Sequence, residues 1–232
     1  MTSNAAIITQ SNYVPWKGFF DSLRHVDIFV VYDDMQYTKR DWRNRNIIKT
    51  PQGLKWISIP VEVKGKYFQK IKDTKIAEKD WNISHWNIIK QNYKGAKHFK
   101  EMAEWLEPLY RNCNFDFITE VNIHFINAIC KQLEITIDIR YSSDFDLAEE
   151  KTQRLVNICK DINASNYFSG PAAKAYMEID RFETENITVH YWDYHDYPVY
   201  EQLHGEFVHG VSIIDLLMNE GSNSINYLKK LI

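Results

Sequence analysis

Residues 5–34 read AAIITQSNYVPWKGFFDSLRHVDIFVVYDD, and the fold turns on this stretch. Residues 5–9 form a short apolar run that predicts a buried strand. Pro15 restricts Val14 to extended geometry, so residues 10–16 read as a loop. Over residues 17–26, Phe19, Phe20, Leu23 and Val26 recur at helical spacing. A second apolar run, residues 27–32, predicts another buried strand that ends at Asp33-Asp34. Strand, loop, helix and strand within about 30 residues make a βαβ unit. Parallel strands need such a crossover, and ligands of parallel sheets gather at the carboxyl ends of the strands. The expectation is an α/β fold with a mostly parallel sheet, with the 10–16 loop and Asp33 on its functional edge.

The pattern then changes. Residues 46–49 and 54–61 flank Thr50-Pro51-Gln52-Gly53, which suits a type I turn and predicts a hairpin. Residues 84–93, 99–110 and 117–133 read as helices, a helical insertion around 80–133 in a single domain spanning 1–232. Beyond it, residues 135–141, 166–169 and 187–194 read as strands and 151–162 as a helix. Ser212 opens a last apolar helix, with Asp215 placed to complete a capping box.

Hydrophobic residues make up 44% of the 232, enough for a substantial core. Cys113, Cys130 and Cys159 are odd in number and widely spaced, which predicts reduced thiols, with neither disulfides nor a thiolate zinc site. The first residues lack a signal-peptide pattern, and no apolar run approaches the roughly 20 residues of a membrane span. A cytoplasmic protein without a membrane partner is expected.

The net charge of −3 hides a segregation. Residues 36–72 hold ten Lys/Arg and two acids, and residues 178–220 hold ten acids and one Arg. Such blocks are often solvated faces, but both carry aromatics and turn signals. In the basic block, Lys39, Arg40, Arg43 and Arg45 surround Trp42. This suits phosphate recognition with ring stacking, or a solvated basic hairpin. Alternation along an extended chain predicts that Arg43 and Arg45 face the cleft. A basic, aromatic stretch also suits nucleic acid, but the acidic total argues against a broad nucleic-acid surface. In the acidic block, His190, His195, His204 and His209 alternate with carboxylates and tyrosines. Their irregular spacing predicts an amine-binding segment and no metal site. Tyr200 and Gln202 share a face if that stretch is extended. Ser169-Gly170 ends a strand, as a structural turn or as a loop whose N–H groups hold an anion. His85, ahead of Trp86 in a helix, reads as a packing or a catalytic histidine.

QSNYVPWKGFFD followed by DIFVVYDDMQYTKRDWRNRNIIKTPQGLKWISIPV resembles the opening of the WbqC-like family, whose members begin Gln-Pro-x-Tyr-x-Pro-Trp-x-Gly-Phe/Tyr-Phe. The likeness runs on through His85 and Tyr93, NYFSGPAAKAYM, YPVYEQ and FVHGVSIIDLLMNEG. Ser11 departs from the pattern, standing where the family usually has Pro, and is expected to loosen the loop. The resemblance implies a role in surface-polysaccharide (lipopolysaccharide, O-antigen) biosynthesis. It also implies an acyl or aminoacyl transferase, of the kind labelled glycine transferase, acting on a nucleotide-linked amino sugar. The partners expected are that sugar and an acyl or aminoacyl donor, with activation by ATP, by a carrier protein or as an aminoacyl-tRNA all open, and nucleic acid otherwise not expected. The cofactor is left open. Candidate catalytic residues are His85 and Asp33. Candidate binding residues are Gln10, Asn12, Tyr13, Trp16, Arg40, Arg43, Arg45, Ser169, Gly170, Tyr200 and Gln202. A non-catalytic sugar-nucleotide binding or assembly partner is the other class that fits.

Overall fold

The computed structural model describes residues 4–229. Strands β1 (Asn4–Thr9), β2 (Ile28–Val31), β5 (Asp138–Tyr141), β6 (Ala164–Ser169) and β7 (Thr188–Tyr191) form one parallel sheet. Their order across it is β5-β2-β1-β6-β7. A separate antiparallel hairpin, β3 (Arg45–Thr50) and β4 (Gly53–Ser58), follows β2. Its turn closes at Gly53, whose φ of 107° lies in the left-handed region that favours glycine.

The apolar runs of β1 and β2 lack alternation because both faces of the sheet are covered. Ile7, Phe29 and Val31 pack into one core with α1 (Lys17–Arg24), α2 (Trp81–Tyr93), α3 (Phe99–Arg111), α4 (Ile118–Gln132) and α7 (Ile213–Glu220). Ala6, Ile8, Ile28 and Val30 pack into a second core with α5 (Lys151–Asp161) and α6 (Ile179–Thr184). The chain leaves β1 for β2 on one side and later fills β6 and β7 on the other. The switch point therefore lies between β1 and β6, at the sheet edge where ligands of parallel sheets commonly bind.

Three details depart from the sequence reading. Val14 is not extended: its φ is +36°, a strained value for a β-branched residue. The strand expected over 135–141 is shorter, since Ile135 N–H closes the end of α4 on the Cys130 carbonyl. Ser212 does cap α7, accepting from Ile214 N–H, but Asp215 completes no capping box. Its carboxylate turns inward and accepts from the hydroxyls of Tyr93 and Tyr200, each at 2.8 Å.

Candidate functional site

The loop from β1 to α1 is clamped from two directions. Asn46 on β3 donates to the carbonyls of Tyr13 and Val14, both at 3.0 Å. The Ser212 hydroxyl donates to the Val14 carbonyl at 2.7 Å, and Ile213 N–H to the Pro15 carbonyl at 2.9 Å. These contacts sustain the strain at Val14, as surrounding structure does at functional loops. Ser11 ties the same loop to the end of β2. Its N–H and hydroxyl both donate to the Asp33 carboxylate, at 2.8 and 2.6 Å. Proline could make neither bond, so Ser11 anchors the loop where a loosening was expected.

Asp33 also accepts from the Thr119 hydroxyl at 2.6 Å, and is buried. Burial raises its pKa against these donors and the Arg43 charge. His85 is buried too. Its ring nitrogens meet the Tyr13 hydroxyl at 2.8 Å and the Ser58 carbonyl at 3.2 Å. The carbonyl can only accept, so Nε2 carries the proton and Nδ1 accepts from Tyr13, whose hydroxyl in turn meets that of Tyr110. Burial lowers the His85 pKa to about 4, and the ring is neutral. Both candidate catalytic groups thus lie inside the fold with their polar atoms engaged, and Tyr13 joins them there.

A pocket of about 510 Å³ opens beside this loop. Asn12 and Trp16 come from the loop, Trp42 and Asn46 from the basic block, and Tyr194, Tyr197 and His209 from the acidic block. The two charge-segregated segments and the β1 loop therefore meet at one place. Trp16 packs against Tyr194 and Tyr197, with ring centroids 5.4 and 5.5 Å apart. Its indole lies over Gly18: a Cβ there would sit 2.2 Å from Trp16 Cζ2.

The remaining candidates take supporting positions. Arg43 grips the loop, donating to Asn12 Oδ1 and, at 3.2 Å, to the Ser11 carbonyl. Arg45 donates to the Arg40 carbonyl and stacks 3.9 Å over the Trp56 ring, while Arg40 is exposed. Tyr200 and Gln202 share a buried network: Gln202 donates to Tyr200 at 3.1 Å and accepts from Lys49 at 2.8 Å. Gln202 also pairs with both backbone groups of Val208, holding the segment that presents His209. Ser169 ends β6, Gly170 follows it and Gln10 follows β1; all three stand outside the pocket lining.

One group escaped the sequence reading. Lys17, the first residue of α1, is buried, and its ammonium lies 5.3–5.6 Å from the ring centroids of Tyr197, Tyr200 and Phe207. It donates to the Pro198 carbonyl. Burial lowers its pKa to about 8. Partial burial, with repulsion from Lys17, holds the pKa of His209 below the ordinary value of 6.5. A neutral imidazole therefore stands at the pocket mouth at neutral pH. The only hint in the sequence was a cation between Trp16 and Gly18, where the loop meets an apolar helix.

Among the described residues, no helix is long and apolar enough to cross a membrane. No solved structure matches the chain. A Mycobacterium tuberculosis (strain ATCC 25618 / H37Rv) protein, described as "Uncharacterized protein Rv1507c", is 48% identical over 222 residues, covering 96% of this chain and 96% of that protein. The match to the WbqC-like protein family extends over residues 10–227, through the loop, both charged blocks and the pocket they form. The chain belongs to the WbqC-like protein family.

Proposed function

We propose that the chain binds a nucleotide-linked amino sugar in the 510 Å³ pocket and transfers an acyl or aminoacyl group, glycyl among them, to the sugar amine. This would be a step of surface-glycan synthesis in the cytoplasm. The observation that carries the reading is an aromatic-walled pocket with a neutral histidine at its mouth. Trp16, Trp42, Tyr194 and Tyr197 offer flat faces to the apolar side of a sugar ring, and Asn12 offers an amide to its hydroxyls. In the step itself, the amine nitrogen attacks the acyl carbonyl carbon and a C–N bond forms. The bond from that carbon to the leaving group breaks. His209 takes the proton the amine releases and passes it to the departing group, as a general base and then acid does.

A second reading is a non-catalytic sugar-nucleotide binding or assembly partner of a glycan pathway. What favours it is the engagement of every polar side-chain atom of Asp33 and His85 within the fold. Purified protein incubated with a nucleotide-linked amino sugar and glycyl or acetyl donors, followed by mass spectrometry, separates the two. A mass-shifted sugar that disappears with His209→Ala supports the enzyme. Calorimetric binding without any product supports the binding partner, and absence of binding overturns both.

A further inference from the structure

The basic block does more than supply Trp42 to the pocket. Among the described residues, the two most exposed large hydrophobic side chains are Tyr67 at 74% and Phe68 at 81%. Their rings meet edge to face at 4.9 Å. Trp42 and Trp56, also exposed, form a second pair at 5.2 Å, with Arg45 stacked on Trp56. The Tyr67 segment is held in place: Gln36 Nε2 donates to the Tyr67 carbonyl at 2.8 Å, and Tyr37 N–H to the Gln69 carbonyl at 2.9 Å. Between these strands of chain lies a pocket of about 380 Å³ bordered by Thr38, Lys39, Lys66 and Tyr67. Lys66 shares Glu62, and Lys70 and Lys72 share Asp34, while no carboxylate lies within ion-pair distance of Lys39 or Lys64 among the described residues.

We propose that this surface, spanning Lys39 to Lys72, binds single-stranded RNA. Pinned, exposed rings interleaved with cations are the form that single-stranded nucleic acid recognition takes, since any base can stack and each phosphate needs one positive charge. The pocket between Lys39 and Lys66 sets the Lys, Thr and Gln side chains against an apolar wall of Val63, Tyr37 and Tyr67, which suits a base lying on the rings with its phosphate toward the cations. Whole-chain charge does not oppose this. A single-stranded end meets only the local surface, and that surface carries the basic block. Lys39 stands three positions before Trp42, so these two residues, one lining each pocket, lie within about 11 Å of each other. If the transferase reading above holds, the RNA is the aminoacyl donor. The sugar amine then attacks the ester carbonyl, an amide C–N bond forms, and the ester C–O bond breaks. The amine proton passes to the ribose oxygen, which leaves as a hydroxyl.

Fluorescence anisotropy of the full chain with a labelled single-stranded RNA, a duplex of equal length, and anionic phosphatidylglycerol vesicles as competitor tests the surface without any sugar present. Its outcome is therefore separate from that of the transferase reading. Tyr67→Ala/Phe68→Ala and Lys39→Glu/Lys66→Glu lie outside the sugar pocket, and unchanged melting temperatures show that both variants fold. Preference for the single strand, weakening as salt rises, and a loss of about tenfold or more in each variant support the proposal. Absence of RNA binding, equal affinity for duplex, unaltered affinity in both variants, or displacement of the RNA by vesicles overturns it.

Discussion

Gly18→Ala isolates the contact that holds the Trp16 indole in the pocket wall. The new Cβ would stand 2.2, 2.5 and 2.7 Å from Cζ2, Cη2 and Cε2 of Trp16, where ordinary contact begins at 3.4 Å. The ring must retreat by more than an ångström, and it is already backed by Tyr194 and Tyr197. Overpacking of this kind costs about 1–3 kcal/mol. Replacing a helical glycine by alanine returns up to about 1 kcal/mol. The expected change in urea-unfolding free energy is therefore a destabilisation of about 0–3 kcal/mol, whereas the pocket loses one of its four ring faces. Calorimetry with a nucleotide-linked amino sugar should show affinity falling by about tenfold, the weight of roughly one aromatic contact. A variant that gained stability by the full helix-propensity term and bound the sugar unchanged would refute the placement of Trp16.

Ser11→Ala removes the 2.6 Å hydroxyl bond to the buried Asp33 carboxylate and the acceptor of Asn122; it should cost about 1.5–3 kcal/mol in urea unfolding, and a loss below 0.5 kcal/mol would deny the anchor. His85 titrates at about 4 in the fold, below the ordinary 6.5. The unfolded chain therefore takes the proton first. The stability contributed is whole above pH 6.5 and is lost as pH falls toward 4, by about 3 kcal/mol. Urea titrations across that window should show His85→Gln with a correspondingly flatter profile, and parallel profiles would count against a neutral buried ring. His209→Ala should lower kcat by about 10²–10⁴ with sugar affinity little changed. Because its pKa lies below 6.5, the wild-type rate should be flat at neutral pH and fall only in acid; a rate still rising through pH 7–8 would remove it as the base.

Much of the fold could be read locally. The runs at 5–9 and 27–32 are apolar without alternation, the mark of strands covered on both faces, and the structure covers them with α1–α4 and α7 on one side and α5 and α6 on the other. What escaped were choices decided by distant partners. Asp215 sits at capping-box spacing, yet Tyr93 and Tyr200, far apart in sequence, claim its carboxylate. Val14 precedes a proline, yet Asn46 and Ser212 hold its carbonyl where the backbone turns left-handed. The site was legible as segments but not as a set. The β1 loop, the basic block and the acidic block each stood out, but only the tertiary fold brings Asn12, Trp42 and His209 to one pocket. Aspartates and tyrosines of the acidic block read as an open amine trap. In the structure several of those tyrosines are occupied: Tyr197 donates to Asp21 at 2.6 Å and Tyr200 to Asp215. That pairing leaves the exposed His195, Asp196 and His209 as the polar rim.

A crystal structure of the protein soaked with a nucleotide-linked amino sugar tests the central claim most directly. The account predicts the sugar ring lying between Trp16 and Trp42, with its amine within hydrogen-bond distance of His209. Ligand bound elsewhere, or a pocket left empty at saturating concentration, would contradict it.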